Sequence, residues 1–184
     1  CKYSLYVTSG STANLLLMSA VKELYEIPDG SKVLVPACTW VTNVSPVFQL
    51  GLEPVFCDVD LERYSFDLDT LPEEDIKIVF ITHLLGLNSP VEALKKKYPN
   101  AIFIEDICES HGVKAPNGMK RGSTSTGSTF SFYYGLLLSF LGLFGINSSK
   151  SENQFFKIES ILKESKISDI KLQPLRRIEF NSSL

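Results

Sequence analysis

Ile76-Lys77-Ile78-Val79-Phe80-Ile81-Thr82, then Pro90 to Lys97, then Ala101-Ile102-Phe103-Ile104-Glu105 form a β-branched run, a helical segment and a second β-branched or aromatic run. Strands this apolar have no wet face, so the alternation predicts a mostly parallel sheet with helices on both faces. Working outward, Lys32 to Pro36 and Pro54 to Asp58 read as further strands. Thr39 to Leu50 reads as a helical stretch weakened by Pro46. Ahead of them, Ser11 or Thr12 is expected to cap a helix whose Ala13, Leu17, Ala20 and Leu24 recur at helical spacing until Pro28-Asp29-Gly30 turns the chain. The expected class is α/β, and in such sheets ligands bind beyond the carboxyl ends of the strands.

Bulk composition narrows the function classes. The 184 residues are 44% hydrophobic and 21% charged, which suits one globular core. A net charge of -3 gives no electrostatic footprint for DNA or RNA. Cys1, Cys38, Cys57 and Cys108 show no paired spacing for zinc or a redox couple, which fits a reducing, cytoplasmic setting with no metal. The chain starts at Cys1 without an initiating Met, and Cys1 to Val7 lacks the features of a signal peptide, so a fragment is expected. The charge-free stretch between Arg121 and Lys150 is apolar only around Leu136 to Ile146, which is too short to predict a membrane span.

Two short stretches carry chemistry. Thr8-Ser9-Gly10-Ser11-Thr12-Ala13-Asn14 opens the first helix, and a helix N-terminus presenting amides suits a phosphate. Ile104-Glu105-Asp106 ends a buried run, and an acid at a strand's carboxyl end suits a protonated ring nitrogen. Together they point to pyridoxal phosphate. Plainer roles stand beside these: Ser11 and Thr12 as simple caps, Trp40 as core, and Asp106 as the cap of a following helix. Glu105 is expected to point away from the ligand, since neighbouring side chains on a strand alternate. His83 and His111 have no nucleophile or ligand set nearby in sequence and read as structural.

Ser9-Gly10-Ser11-Thr12-Ala13, Pro36 with Thr39-Trp40, Pro54 to Asp60, His83-Leu84-Leu85-Gly86, Glu105-Asp106 with Glu109-Ser110-His111-Gly112, and Gly127 with Phe130-Ser131-Phe132 occur in one order. In that order the chain resembles the DegT/DnrJ/StrS sugar aminotransferases over about residues 3 to 135. The resemblance implies a truncated large domain of the fold-type I pyridoxal phosphate enzymes. It also implies a nucleotide-linked keto sugar as substrate, usually glutamate as amino donor, and a homodimeric intact protein. Such sugars enter lipopolysaccharide, O-antigen or antibiotic synthesis. By the same likeness Ser11, Thr12 and Ser131 contact the cofactor phosphate, Trp40 stacks on the ring, Asp106 pairs with the ring nitrogen and Glu109 approaches the ring hydroxyl. A subset of the family removes a sugar hydroxyl instead, using His where the others use Lys, and Glu109 in place of Gln leans toward it. A generic dinucleotide domain is disfavoured, because the first strand-to-helix turn lacks a Gly-x-Gly-x-x-Gly spacing.

The pattern breaks at Leu136, where the family has its reactive Lys or His. Leucine can neither bond to the cofactor aldehyde nor move a proton, so the chain as written is expected to be inactive. Tyr133-Tyr134-Gly135 resembles the approach to the active-site His of the dehydrating subset, yet no acid and no glycine pair comes after it. Residues 1–135 therefore read as a partial cofactor-binding domain and 136–184 as an atypical tail without strand and turn rhythm. A reading-frame shift near Gly135 is one origin for it, and a remnant that binds without turnover is the other. Phe155 to Leu172 reads as an amphipathic helix.

Overall fold

The computed structural model describes residues 3–131 and 142–146. Its elements run β1 (Tyr3–Val7), α1 (Gly10–Leu24), β2 (Lys32–Pro36), α2 (Val41–Gln49), β3 (Glu53–Cys57), β4 (Val59–Asp60), β5 (Ser65–Phe66), β6 (Ile76–Thr82), α3 (Val91–Lys97), β7 (Ile102–Asp106), β8 (Gly127–Ser131) and β9 (Gly142–Ile146). Leu136, Phe132, Tyr133-Tyr134-Gly135 and the helix expected from Phe155 to Leu172 lie outside the described residues.

Alternation within the strands builds two cores. Val33, Val35, Ile78, Phe80 and Ile104 pack with Ala13, Leu17 and Val21 of α1 and Val47 of α2. Leu34, Val79, Ile81 and Phe103, their immediate neighbours in sequence, pack on the opposite face with Val91 and Leu94 of α3. The period-two direction of strand side chains thus divides apolar runs between two helical layers. The strands form a seven-stranded sheet in the order β1-β9-β8-β7-β6-β2-β3. Pairing is parallel from β8 through β7, β6 and β2 to β3, and β9 runs antiparallel to both β1 and β8.

Strand β9 corrects the expectation that the tail has no strand. A five-residue apolar run has no periodicity that separates strand from helix, and pairing with β1 and β8 decides the matter. Two helix starts also shift. Ser9, in extended backbone, caps α1 by accepting from the Thr12 amide at 3.1 Å, so the cap is neither Ser11 nor Thr12. Helix α2 starts at Val41 and contains Pro46.

With one antiparallel strand between them, β1 and β8 point the same way, which brings the start of α1 to the edge where β2, β6, β7 and β8 end. Thr82, Asp106 and Thr129 sit side by side there on three adjacent strands. Thr39, beyond β2, joins the row through its hydroxyl, 2.7 Å from that of Thr82.

Candidate active site at the carboxyl edge of the sheet

Helix α1 brings its first turn against the end of β8. A Cβ on Gly10 would lie 3.2 Å from Ser131 Cβ, 3.4 Å from Ser131 Oγ and 3.6 Å from Cys108 Sγ. Such an approach leaves no room for a larger residue without movement of its neighbours. The amides of Gly10 and Ser11 belong to the first four that a helix leaves without an intrahelical acceptor. That of Thr12, the third helical residue, is instead taken by Ser9 Oγ. The Thr12 hydroxyl remains at this end, 3.0 Å from Ser9 Oγ and 3.3 Å from Thr8 Oγ1. Ser11, Thr12 and Ser131 are therefore gathered at one helix terminus.

Asp106 is only 4% exposed and is surrounded by donors. Oδ2 accepts from Asn14 Nδ2 at 2.9 Å and from Asn43 Nδ2 at 3.0 Å. Oδ1 accepts from the Cys108 amide at 2.9 Å. The residue does cap the next segment, but as a turn; no helix begins there, and Glu109 stands in that turn. Glu109 Oε2 accepts from the Leu85 amide at 3.3 Å, across the edge at the end of β6. Burial, with the Asp106 carboxylate as the next cause, holds the Cys108 thiol far above its usual range, so it stays a neutral thiol and no nucleophile.

Trp40 stands at the N-cap of α2 and is 59% exposed, which removes it from the core. Its neighbours tie it to the same edge: Thr39 bonds Thr82, Thr42 Oγ1 accepts from Asn14 Nδ2 at 3.2 Å, and Asn43 reaches Asp106. The edge thus brings together the α1 terminus, Ser131, Asp106, Glu109 and the Trp40 segment. Sequence reading missed Asn14, Asn43 and Thr129. The available signal was an amide side chain inside an apolar helical stripe: Asn14, 1% exposed, lies one turn beyond Gly10. Asn43 Oδ1 is buried without a hydrogen-bond partner, an arrangement worth about 1 to 3 kcal/mol of lost stability.

Glu105 faces the other side of the sheet. His83 Nδ1 accepts from the Ser89 amide at 3.2 Å, so the hydrogen on Nε2 meets Glu105 Oε2 at 2.8 Å. Ser125 donates to Oε1 and the Gly122 amide donates to Oε2 at 3.0 Å. Burial alone would raise the carboxyl, yet the hydrogen bonds from His83, Ser125 and the Gly122 amide outweigh it and hold Glu105 below its ordinary 4.5. A carboxyl depressed in the fold contributes stability above its unfolded pKa, and that stability is lost as pH falls through the folded value. The thermal midpoint is therefore expected to drop more steeply in wild type than in Glu105→Gln between about pH 6 and about pH 3. Equal acid slopes in circular dichroism melts would contradict it. His111 is also placed structurally, with Nε2 2.9 Å from the Ser131 carbonyl and its ring edge-on to half-buried Phe130 at 5.5 Å.

These residues fit pyridoxal phosphate. Gly10 is the position where a side chain would fill the cradle formed with Ser131, and a donor-ringed acid lies one turn away along α1. Among the described residues no group of His, Cys, Asp and Glu is arranged to hold a metal ion, and no helix is long and apolar enough to cross a membrane.

The chain matches the model of the DegT/DnrJ/EryC1/StrS aminotransferase family over residues 1–159, past Gly135 where the expected likeness ended. It is 36% identical over 140 residues to the GDP-4-keto-6-deoxy-D-mannose 3-dehydratase of Yersinia pseudotuberculosis, covering 72% of this chain and 35% of that one. To the dTDP-3-amino-3,6-dideoxy-alpha-D-galactopyranose transaminase of Aneurinibacillus thermoaerophilus it is 32% identical over 137 residues, covering 71% and 36%. The structure of E. coli GDP-4-keto-6-deoxy-D-mannose-3-dehydratase with bound hydrated PLP superposes with a TM-score of 0.73 at 28% identity, covering 88% of this chain and 42% of that one. The chain thus spans about a third of the length of the curated relatives it matches.

Proposed function

Since the chain belongs to the DegT/DnrJ/EryC1/StrS aminotransferase family, we propose that it is the cofactor-binding part of a pyridoxal phosphate enzyme acting on a nucleotide-linked keto sugar. The amides of Gly10 and Ser11, the hydroxyls of Ser11 and Thr12, and Ser131 would hold the phosphate. Asp106 would hold the ring nitrogen, Trp40 would cover the ring face and Glu109 would approach the ring hydroxyl. When bound, the cofactor supplies an electron sink for the bond broken on the substrate, and Asp106 keeps that sink effective by stabilising the protonated nitrogen. Trp40 limits tilt and excludes water from the ring. The observation that carries the reading is the donor-ringed Asp106 beside a helix terminus closed by Ser131.

Two outcomes share this machinery. Amination is the family's named activity, and the transaminase relative supports it, with glutamate as the proposed donor. Dehydration at the sugar's third carbon is favoured by Glu109 and by the 3-dehydratase relative, named for GDP-4-keto-6-deoxy-D-mannose. The intact protein is proposed to be a cytoplasmic homodimer. Leu136, in place of a reactive Lys or His, makes the chain as written a binder without turnover.

Trp40 is the sole tryptophan, so its fluorescence reports on the site directly. Titration with pyridoxal phosphate is expected to quench it, and Asp106→Ala is expected to weaken binding about ten- to a hundred-fold, the worth of a charge-assisted hydrogen bond. Quenching of equal affinity in wild type and variant would overturn the assignment of Asp106.

A further inference from the structure

We infer that Asn14, Asn43 and Thr129 are positioning residues that aim Asp106 at the ring nitrogen, an inference that rests on the cofactor reading above. Three elements contribute: Asn14 from α1, Asn43 from α2 and Thr129 from β8. Thr129 Oγ1 donates to Asn14 Oδ1 at 2.6 Å. With its oxygen so engaged, the Asn14 amide nitrogen must face the acid, where it donates to Asp106 Oδ2 and also to Thr42 Oγ1. A flipped Asn14 would set its oxygen against a carboxylate oxygen, two acceptors with no hydrogen between them.

Asn43 makes the same choice at a visible cost. Its Nδ2 donates to the same oxygen, while its Oδ1 has no partner although the residue is fully buried. Buried polar atoms are nearly always satisfied, and an apolar residue would fill this slot without an orphan. Asn43 is therefore explained by what its NH₂ group does for Asp106. All four side chains are at most 4% exposed, so the carboxylate cannot be reoriented by solvent. Two amides on one oxygen, with the Cys108 amide on the other, fix both its plane and its direction.

The test separates aiming from mere support of the fold. Trp40 quenching is followed with pyridoxal phosphate and with its deaza analogue, which has carbon in place of the ring nitrogen. Asn14→Leu and Asn43→Leu are each expected to weaken pyridoxal phosphate about ten-fold or more. Thr129→Val, which frees Asn14 to rotate, is expected to weaken it by less, and it carries the test if either leucine variant does not fold. Affinity for the deaza analogue is expected to stay within about two-fold throughout, because nothing on that ring meets Asp106. Ser65→Ala removes a buried 2.8 Å bond to Ser89 away from this site and is expected to leave both ligands unaffected. Equal weakening of both ligands, or of neither, overturns the inference alone. Absence of quenching in wild type overturns the cofactor reading and the inference with it.

Discussion

Leu136→Lys is expected to take this chain from no covalent hold on pyridoxal phosphate to a stoichiometric one. Leucine offers no nucleophile, whereas a lysine amine condenses with an aldehyde and becomes fixed on borohydride reduction. The other groups argued to hold the cofactor, from Ser11 to Ser131, are already in the chain, so one substitution supplies the missing chemistry. Peptide mass spectrometry after reduction is expected to find the reduced cofactor on residue 136 in the variant and on no single lysine in wild type. Leu136→His is expected to bind without becoming fixed. Where an enzyme depends on such a nucleophile or base, its loss costs on the order of a million-fold in turnover. A reduced cofactor concentrated on one lysine of wild type would contradict this account. So would a variant that binds the cofactor and still fails to fix it.

The regular part of this fold was legible because its strands are short apolar runs between turn signals. Lys32 to Pro36 and Ile76 to Thr82 fall where their residues place them. What escaped has physical causes. Strand β9 was hidden in a leucine and phenylalanine cluster, since a run paired on both sides needs no alternation. The cap on α1 moved to Ser9 because Ser9, Ser11 and Thr12 all carry cap-capable hydroxyls, and Ser9 is the one with extended backbone ahead of the helix. The places of Asp106 at the end of β7 and of the α1 terminus at the same sheet edge were readable from residue type and position. The amides that hold the acid were not, because their partners are distant in sequence: Asn14 and Asp106 are joined across 92 positions and Asn14 and Thr129 across 115. No local pattern encodes such a bond.

Gly122→Ala is expected to produce the largest loss of stability. Gly122 has φ +79°, a left-handed conformation that costs an L-residue about 1 to 2 kcal/mol. Space is the heavier constraint. The added Cβ would fall 2.2 Å from Ile107 Cδ1, 2.8 Å from Ser128 Oγ and 2.9 Å from Ser128 Cβ. Ile107 is 1% exposed and Ser128 2%, so neither swings into solvent without opening the sheet, and forced overpacking adds roughly 1 to 3 kcal/mol. The Gly122 amide also donates to Glu105 Oε2, so any backbone shift that relieves the clash loosens the buried His83–Glu105 pair. The combined effect of about 2 to 5 kcal/mol is a large fraction of the roughly 5 to 15 kcal/mol that holds a typical domain folded. It corresponds to a fall of roughly 10 °C in thermal midpoint. Gly118→Ala supplies the comparison, because that glycine has a similar φ of +82° and nothing within 4 Å of the added Cβ. It isolates the backbone contribution, and a midpoint for Gly122→Ala no lower than that of Gly118→Ala would show that Ile107 and Ser128 give way freely. The steric account would then fail while the hydrogen bond to Glu105 remained.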